Sequence, residues 1–543
     1  MTEAVAAKRA LPRAKRIANL ALAIALGTIS GSMWFLATPP RRFFWLAWFA
    51  MIPVFVGVDR ARNWKEVALV AWVAGTVTSL GGFSWIGLLL ERFAGLPRAA
   101  ALGVLLLFCL YQGVTCLLFG IVSYRIRRHT DLPMTLIAPV TFVTFEWMVP
   151  LLFPWYLAIT QAKHPLLIQT ADLTGPLGIT ALLLVANGTV YDLITKRRGA
   201  IKVAVIGSAI IAFAILYGHF RIRHFDEVAA RAPKLAVGIV QPNIPYDEKG
   251  ARYPEFRQEQ LRALQEQSRK LQDAGAQLVV WSETTYPYWL PKDLKADFAL
   301  NDQRRVMRDF TVPVITGVNT FSGARGRWNS AMLLDSQGRV AGIYDKMELL
   351  PFGEAIPAWL DFQPIKKLIP AGFGDFSRGE TARTLPFVTS DNRQFPVGAI
   401  VCYEDILPQL LRKVGGLHPY LLVNVTNDAW YGADIEPAEH LALAVFGSVE
   451  QRTSMVRAVN SGISAFVDPN GRIVQQTEAI DPIVDRRPVM SLLVRVPMLQ
   501  AGSTPFAIWG NVFTYLCVTL TIVFVAQTFR TPELARRHKR RTQ

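Results

Sequence analysis

The chain has 543 residues, of which 51% are hydrophobic and 18% charged, with a mean hydropathy of +0.26 and a formal charge of +17. Soluble globular domains carry about 25% charged residues, so the composition argues against a purely soluble enzyme, and the 31 Phe, 14 Trp and 14 Tyr exclude disorder. The length calls for two or more folded units.

Apolar runs lie near residues 17–38, 43–58, 66–90, 99–123, 133–152, 175–194, 201–219 and 505–528. A helix needs about 20 apolar residues to cross a bilayer. The runs therefore predict a polytopic α-helical membrane domain of about eight transmembrane helices, with 43–58 the shortest. Basic residues cluster beside alternate ends of the runs. Lys8, Arg9, Arg13, Lys15 and Arg16 precede the first, and Arg60, Arg62 and Lys65 follow the second. Arg125, Arg127 and Arg128 follow the fourth, Lys196, Arg197 and Arg198 the sixth, and six more from Arg530 to Arg541 the eighth. The intervening loops hold only Arg41, Arg42, Arg92, Arg98 and Lys163. The positive-inside rule then places both termini in the cytoplasm, which an even number of spans satisfies. Because the charges alternate with spans and form no single patch, a nucleic-acid partner is not expected. The first run has a basic start but no clear small-residue cleavage site, and it reads as a retained helix. Glu146 lies near the outer end of run five beside Trp147; an interfacial or structural hydrogen-bonding role fits it at least as well as chemistry.

The segment 233–495 differs. LAVGIV (235–240), QLVVW (277–281), VPVITGV (312–318), AMLLD (331–335), FPVGAIV (395–401) and YLLVNV (420–425) read as buried strands bounded by turns. Helical patterns at 254–274 and 439–459 alternate with them, so an α/β domain is expected. Asp335–Arg339 and Asp468–Arg472 share an Asp-x-x-Gly-Arg plan between strands and read as hairpins. The chain divides into 1–232 with seven helices, the α/β domain 233–495, and 496–543 with the last helix and a basic tail. Seven spans and a cytoplasmic N-terminus put the α/β domain outside the cytoplasm.

Cys109, Cys116, Cys402 and Cys517 make no disulfide framework and no zinc motif, and neither a metal nor another cofactor is called for. Cys402 stands apart: it follows the strand FPVGAIV and precedes Tyr403, Glu404 and Asp405. Glu283 follows QLVVWS and Lys346 follows GIYD. Strand ends are where an α/β sheet presents reactive groups. Singly, each has an ordinary explanation: a small buried hydrophobe, a helix-cap carboxylate, a solvated turn lysine.

Together with VQPNIP (240–245), WSET (281–284), YDKMELLPFGEAIP (344–357), VCYED (401–405), NVTNDAWYG (424–432) and DPNGRI (468–473), they resemble the carbon–nitrogen hydrolase (nitrilase) superfamily. SWI (84–86) and FEWMVPLLFPW (145–155) in the membrane part extend the resemblance to its membrane-embedded branch, the apolipoprotein N-acyltransferase family, over essentially the whole chain. Two positions depart from the family pattern: Glu348 stands where His is frequent, and Gly250 where an aromatic residue is.

The resemblance implies an α-β-β-α sandwich with a Glu283–Lys346–Cys402 triad. It also implies a glycerophospholipid acyl donor, phosphatidylethanolamine, and a diacylated apolipoprotein acceptor. It places the protein in the bacterial inner membrane, multi-pass, with the catalytic domain periplasmic. The residue types suit acyl transfer. A thiolate is both nucleophile and leaving group, Glu283 would take its proton, and Lys346 would stabilise the thiolate and the oxyanion. The Tyr403 N–H would be a second oxyanion donor, and Glu354 and Glu404 would support the site. Asn427–Trp430 reads as a turn shaping the pocket, positioned by Arg457 and Asn460. Trp359, Leu360 and Phe362, in the proline-broken stretch 356–373, form with Tyr288 and Trp289 (in the stretch from Tyr286 through Leu290 to Lys292) an expected apolar arm that admits lipid. A membrane-anchored amidase acting on a soluble substrate shares the triad and is the alternative.

Overall fold

The computed structural model describes residues 13–245, 254–323, 326–351, 353–355 and 376–530. Among the described residues, five helices are long and apolar enough to cross a membrane: Ala14–Ala37, Arg98–His129, Pro176–Ile194, Ala200–Arg231 and Val512–Arg530. Trp64–Gly82 and Trp85–Arg92 make a sixth span if their pair, bent by 56°, is taken as one. Met134–Met148 is apolar but shorter.

The run 43–58 departs from the expected continuous helix. It forms a 3₁₀ turn, Phe44–Trp48, and a nine-residue helix, Ile52–Arg60. Irregular backbone at membrane depth persists only where protein satisfies its polar groups. Asn187, from the helix Pro176–Ile194, does this: it donates to the Ala47 carbonyl and accepts from the Met51 amide, both at 2.9 Å. Elsewhere the bundle is closed by small residues. A Cβ at Gly27 or Gly31 would lie 2.5 Å from the carbonyl of Val70 or Ala74, so the first helix lies directly on Trp64–Gly82.

The strands are β1 (Lys234–Gln241), β2 (Leu278–Trp281), β3 (Leu290–Pro291), β4 (Val314–Phe321), β5 (Arg327–Leu334), β6 (Val340–Asp345) and β7 (Thr384–Val388). They continue as β8 (Gln394–Val401), β9 (Leu421–Asn427), β10 (Met455–Asn460), β11 (Ala465–Val467), β12 (Ile473–Gln476) and β13 (Met490–Pro497). Two mixed sheets result, ordered β13-β1-β2-β4-β5-β6, with β3 beside β4, and β12-β11-β10-β9-β8-β7. Each has parallel strands at its centre, β1-β2-β4 in one and β8-β9-β10 in the other, and antiparallel strands outside them. β9 and β10 are buried along their whole length, so their apolar residues do not alternate with exposed ones, and the polar Asn424, Arg457 and Asn460 within them are each bonded inside the protein. The sheets face each other. The helix Pro254–Asp273 covers the first, with the Trp281 indole donating to Ser268 Oγ at 2.9 Å. Pro408–Gly415 and Glu436–Gln451 cover the second. All six apolar stretches read as strands fall on strands.

The helical pattern at 439–459 is corrected. The helix ends at Gln451, Arg452 turns left-handed with φ 52°, and Met455–Asn460 is the central strand β10. Arg452 is held in that turn by Asp172 of the membrane half at 2.7 Å and by Gln169 Oε1 at 2.7 Å. The two Asp-x-x-Gly-Arg hairpins are built alike. Asp335 Oδ1 accepts from Gln337 and Arg339 amides, Asp468 Oδ1 from Asn470 and Arg472 amides, and Gly338 and Gly471 take φ of 73° and 76°. The second hairpin also reaches the membrane half, where Arg472 pairs with Asp226 at 2.6 Å.

Candidate active site

Glu283, Lys346 and Cys402 follow the ends of β2, β6 and β8 and are all buried. β4 crosses beneath Glu283 so closely that a Cβ on Gly317 would lie 2.5 Å from the Glu283 Cα. The Glu283 amide donates to Thr426 O at 3.4 Å, which ties it to the facing sheet. Cys402 adopts φ 57°, a left-handed conformation unfavourable for a side chain with a Cβ. Two contacts hold it there. Asn424 Nδ2 donates to the Cys402 carbonyl at 2.9 Å, and Glu404 accepts from the Val401 amide at 2.8 Å.

Glu404 does more than close that turn. Its other contacts are the amides of Met347 and Glu348, at 2.7 and 3.0 Å, and the Tyr344 hydroxyl at 2.9 Å. One buried carboxylate thus joins the Cys402 turn to the Lys346 turn. Burial pushes its carboxyl up to about 7, against the pull of these donors. The Tyr403 hydroxyl donates to Leu349 O at 3.0 Å, a further link between the two turns.

Lys346 Nζ lies 2.7 Å from Glu354 Oε2 and 3.6 Å from Glu283 Oε1. Burial alone would lower the Lys346 pKa; Cys402, Glu354 and Glu283 outweigh it and hold the ammonium well above its ordinary value. Asn329 was not anticipated. Its Nδ2 donates to Glu283 Oε1 at 2.6 Å and to Glu354 Oε1 at 2.8 Å, bridging the two acids. An Asn placed in the apolar strand RWNSAMLL was its signal. The Cys402 thiol is pushed up to about 12 by burial and then by Glu283, with Lys346 and His440 pulling the other way.

Behind the Cys402 turn lies a second buried group. Asp405 pairs with Arg457 and, at 3.0 Å, with His440 Nε2. His440 Nδ1 faces Asp428 Oδ1 at 3.3 Å and Glu436 Oε1 at 3.4 Å. Arg457 therefore serves Asp405 rather than the Asn427–Trp430 turn. Asn460 does meet that turn, donating to Asn427 Oδ1 at 2.9 Å. Asp428, Glu436 and His440 are metal-ligand types, with one donor atom each within 4.8 Å of one another. Their charges nonetheless close within the protein. Burial and Asp428 push Glu436 up to about 8. His440 is held well above its ordinary value by Asp405 and Asp428, against burial and Arg457. Arg457 and His440 thus sit among the carboxyls of Asp405, Asp428 and Glu436.

The expected arm is revised. Trp359, Leu360, Phe362 and Gly250 lie outside the described residues. Tyr286 and Leu290 belong to the core beneath the first sheet, with the Tyr286 hydroxyl donating to Arg304 O, 2.6 Å away. Tyr288 is partly buried, with its hydroxyl bonded to Gln258 at 2.5 Å. Trp289 is 44% exposed and stacks on Phe376. Lys292 pairs with Asp345 at 2.6 Å instead of pointing outward. Glu146 accepts from the Leu157 amide at 2.8 Å, a structural bond.

Residues 30–189 match the family model of the apolipoprotein N-acyltransferase N-terminal domain, and 236–480 that of carbon–nitrogen hydrolase. An apolipoprotein N-acyltransferase of Geobacter metallireducens is 30% identical over 521 residues, 93% of this chain and 95% of the relative. This chain belongs to the apolipoprotein N-acyltransferase family. Relatives of the same name from Chlorobaculum tepidum, 27% identical over 80% of this chain and 83% of the relative, and Vibrio cholerae, 26% over 85% and 88%, agree. The protein is a membrane protein whose α/β half is a carbon–nitrogen hydrolase domain. A solved amidase from Nesterenkonia sp. AN1 aligns at 18% identity over 49% of this chain and 92% of its own, with a TM-score of 0.34.

Proposed function

We propose that this enzyme moves a fatty acyl chain from a glycerophospholipid, through a thioester on Cys402, to the N-terminal amine of an S-diacylglyceryl-cysteine apolipoprotein. Glu283 takes the Cys402 proton as Sγ attacks the donor ester carbonyl. Lys346 and the Tyr403 N–H receive the developing oxyanion. The lysophospholipid oxygen leaves with the proton held by Glu283, and the thioester remains. The acceptor amine then attacks, Glu283 takes its proton, and the thiolate leaves and is reprotonated. Glu354 and Asn329 hold Lys346 and Glu283 in place, and Glu404 holds the two turns together. Two substrates sharing one thiol imply ping-pong kinetics.

The supporting observation is the buried Lys346 ammonium set between Glu283 and Glu354 beside a thiol at a left-handed strand end. The domain division is that of 1–232, 233–495 and 496–543, with eight crossings. The segments 43–58 and Met134–Met148 complete crossings that their helices alone do not span. Both termini lie in the cytoplasm of a bacterial cell, and the catalytic half faces the periplasm across the inner membrane. The stretch bearing Trp359, Leu360 and Phe362, with exposed Trp289, admits the lipid.

Mass spectrometry of the full chain after incubation with phosphatidylethanolamine tests the chemistry. A fatty acyl adduct on Cys402, absent from Cys402→Ser and discharged by a diacylated lipopeptide, is expected. Turnover of a soluble amide with no adduct from phospholipid would replace this reading with an amidase.

A further inference from the structure

Both ring nitrogens of His440 face carboxylate oxygens: Nε2 meets Asp405 at 3.0 Å, and Nδ1 meets Asp428 at 3.3 Å and Glu436 at 3.4 Å. Asp405 sits three residues after Cys402 in the same short helix, Cys402–Ile406. Asp428 follows β9, Glu436 and His440 lie one turn apart on Glu436–Gln451, and Arg457 comes from β10. Four elements therefore converge behind the nucleophile, and each contributes a charged or titratable group. A neutral imidazole has one N–H, and ionised carboxylates only accept. A ring with acceptors at both nitrogens is satisfied when both carry protons. Arg457 and a cationic His440 then face the three carboxyls of Asp405, Asp428 and Glu436, and the pair Asp405–Arg457 is fully buried, where an uncompensated charge is costly. The Cys402 thiol senses this cation, which opposes the burial that holds the proton on sulfur.

We infer that His440 is a positioning residue for the nucleophile, an imidazolium fixed between Asp405 and Asp428 that anchors the Cys402–Ile406 turn and sets a permanent positive charge behind the thiol. Lys346 is the cation that meets the reacting atoms; His440 acts through Asp405 and through its field. The thiolate that attacks, and that leaves again when the amine is acylated, is stabilised from behind at both moments. This rests on Cys402 as the nucleophile, but not on the identity of the acyl donor.

The test is the rate at which iodoacetamide alkylates Cys402 in the full chain in detergent, read by mass spectrometry at that residue. His440→Gln removes the charge and should slow alkylation at pH 7 about tenfold, the factor for one unit of thiol pKa. If that variant does not fold, the isosteric triazole analogue of histidine placed at position 440 keeps the ring shape without its basicity. It should show the same tenfold loss with an unchanged melting temperature. Wild-type alkylation in the triazole protein would overturn the inference, since shape without charge would then suffice. A metal chelator should leave the wild-type rate unchanged. A tenfold loss on chelation, restored by zinc, would also overturn it and make Asp428, Glu436 and His440 a metal site. Alkylation reads the thiol directly, so a failed phospholipid assay and a failed His440 effect are separate results.

Discussion

Lys346 is bonded to Glu354 at 2.7 Å, closer than to Glu283 at 3.6 Å. The ammonium is thereby kept off the carboxylate proposed as the general base. In Glu354→Gln the counter-charge is lost, and Lys346 is drawn to Glu283, where a tight ion pair makes a weaker base. Acyl-enzyme formation should slow by at least about tenfold, within the roughly 10²–10⁴-fold that a general base supplies. Quenched-flow mass spectrometry of Cys402 checks it, with a wild-type rate counting against the assignment.

Asn329 donates to both acids from one nitrogen. Asn329→Ala removes two hydrogen bonds. Asn329→Asp places a third carboxylate between the first two, so that one must hold a proton and the thiol faces more negative charge. The aspartate variant should be the slower of the two, in acylation and in alkylation alike. The reverse order would place Asn329 outside the electrostatics of the site.

A Cβ on Gly317 would meet Glu283 Cα at 2.5 Å, and Ser282 O and Thr284 N at 2.6 Å. These are backbone atoms and cannot rotate aside. Gly317→Ala should destabilise by about 1–3 kcal/mol and displace Glu283. A drop in melting temperature with loss of acylation is expected; full activity would show that β4 yields there.

With its thiol pushed up to about 12 by burial and by Glu283, Cys402 is protonated at neutral pH when no substrate is bound. The thiolate fraction then rises with pH well past the ordinary thiol value of about 8.5. Iodoacetamide should modify Cys402 ever faster through about pH 10.5, whereas a thiol of ordinary pKa levels off above about pH 9.5. A plateau by about pH 10 would contradict this.

For the lipid route, Trp359→Asp with Leu360→Asp should slow transfer from bilayer phospholipid far more than alkylation of Cys402 by a soluble reagent. Equal effects on both, or a collapsed melting temperature, would return these side chains to the core.

The positions of the site were legible because apolar strands stop abruptly at polar residues: VVWS before Glu283, GIYD before Lys346, GAIV before Cys402. What stayed hidden depends on partners distant in sequence. Nothing near residue 452 announces that Asp172 will hold Arg452 left-handed, so the helical period runs on unbroken into β10. The break at 43–58 is tolerated because Asn187 supplies its hydrogen bonds from more than a hundred residues away. The polar Asn329 within RWNSAMLL hints at a buried role but not at its partners, and His440 carries no motif of its own; both become legible only once the strands and helices that bear them converge on Glu283 and Asp405.

Arg452 and Asp172, both fully buried, belong to different halves of the chain. Removing one member of such a pair costs about 3–5 kcal/mol, since the other charge stays buried alone. That is comparable to a large part of a domain's whole stability. Insertion of the membrane half is therefore expected to gate folding of the α/β half: a chain that fails to insert would leave Arg452 without its counter-charge and β10 without its anchor. A fragment spanning 233–495 should yield far less folded protein than the full chain, and Arg452→Leu, which removes the orphaned charge, should recover part of that yield.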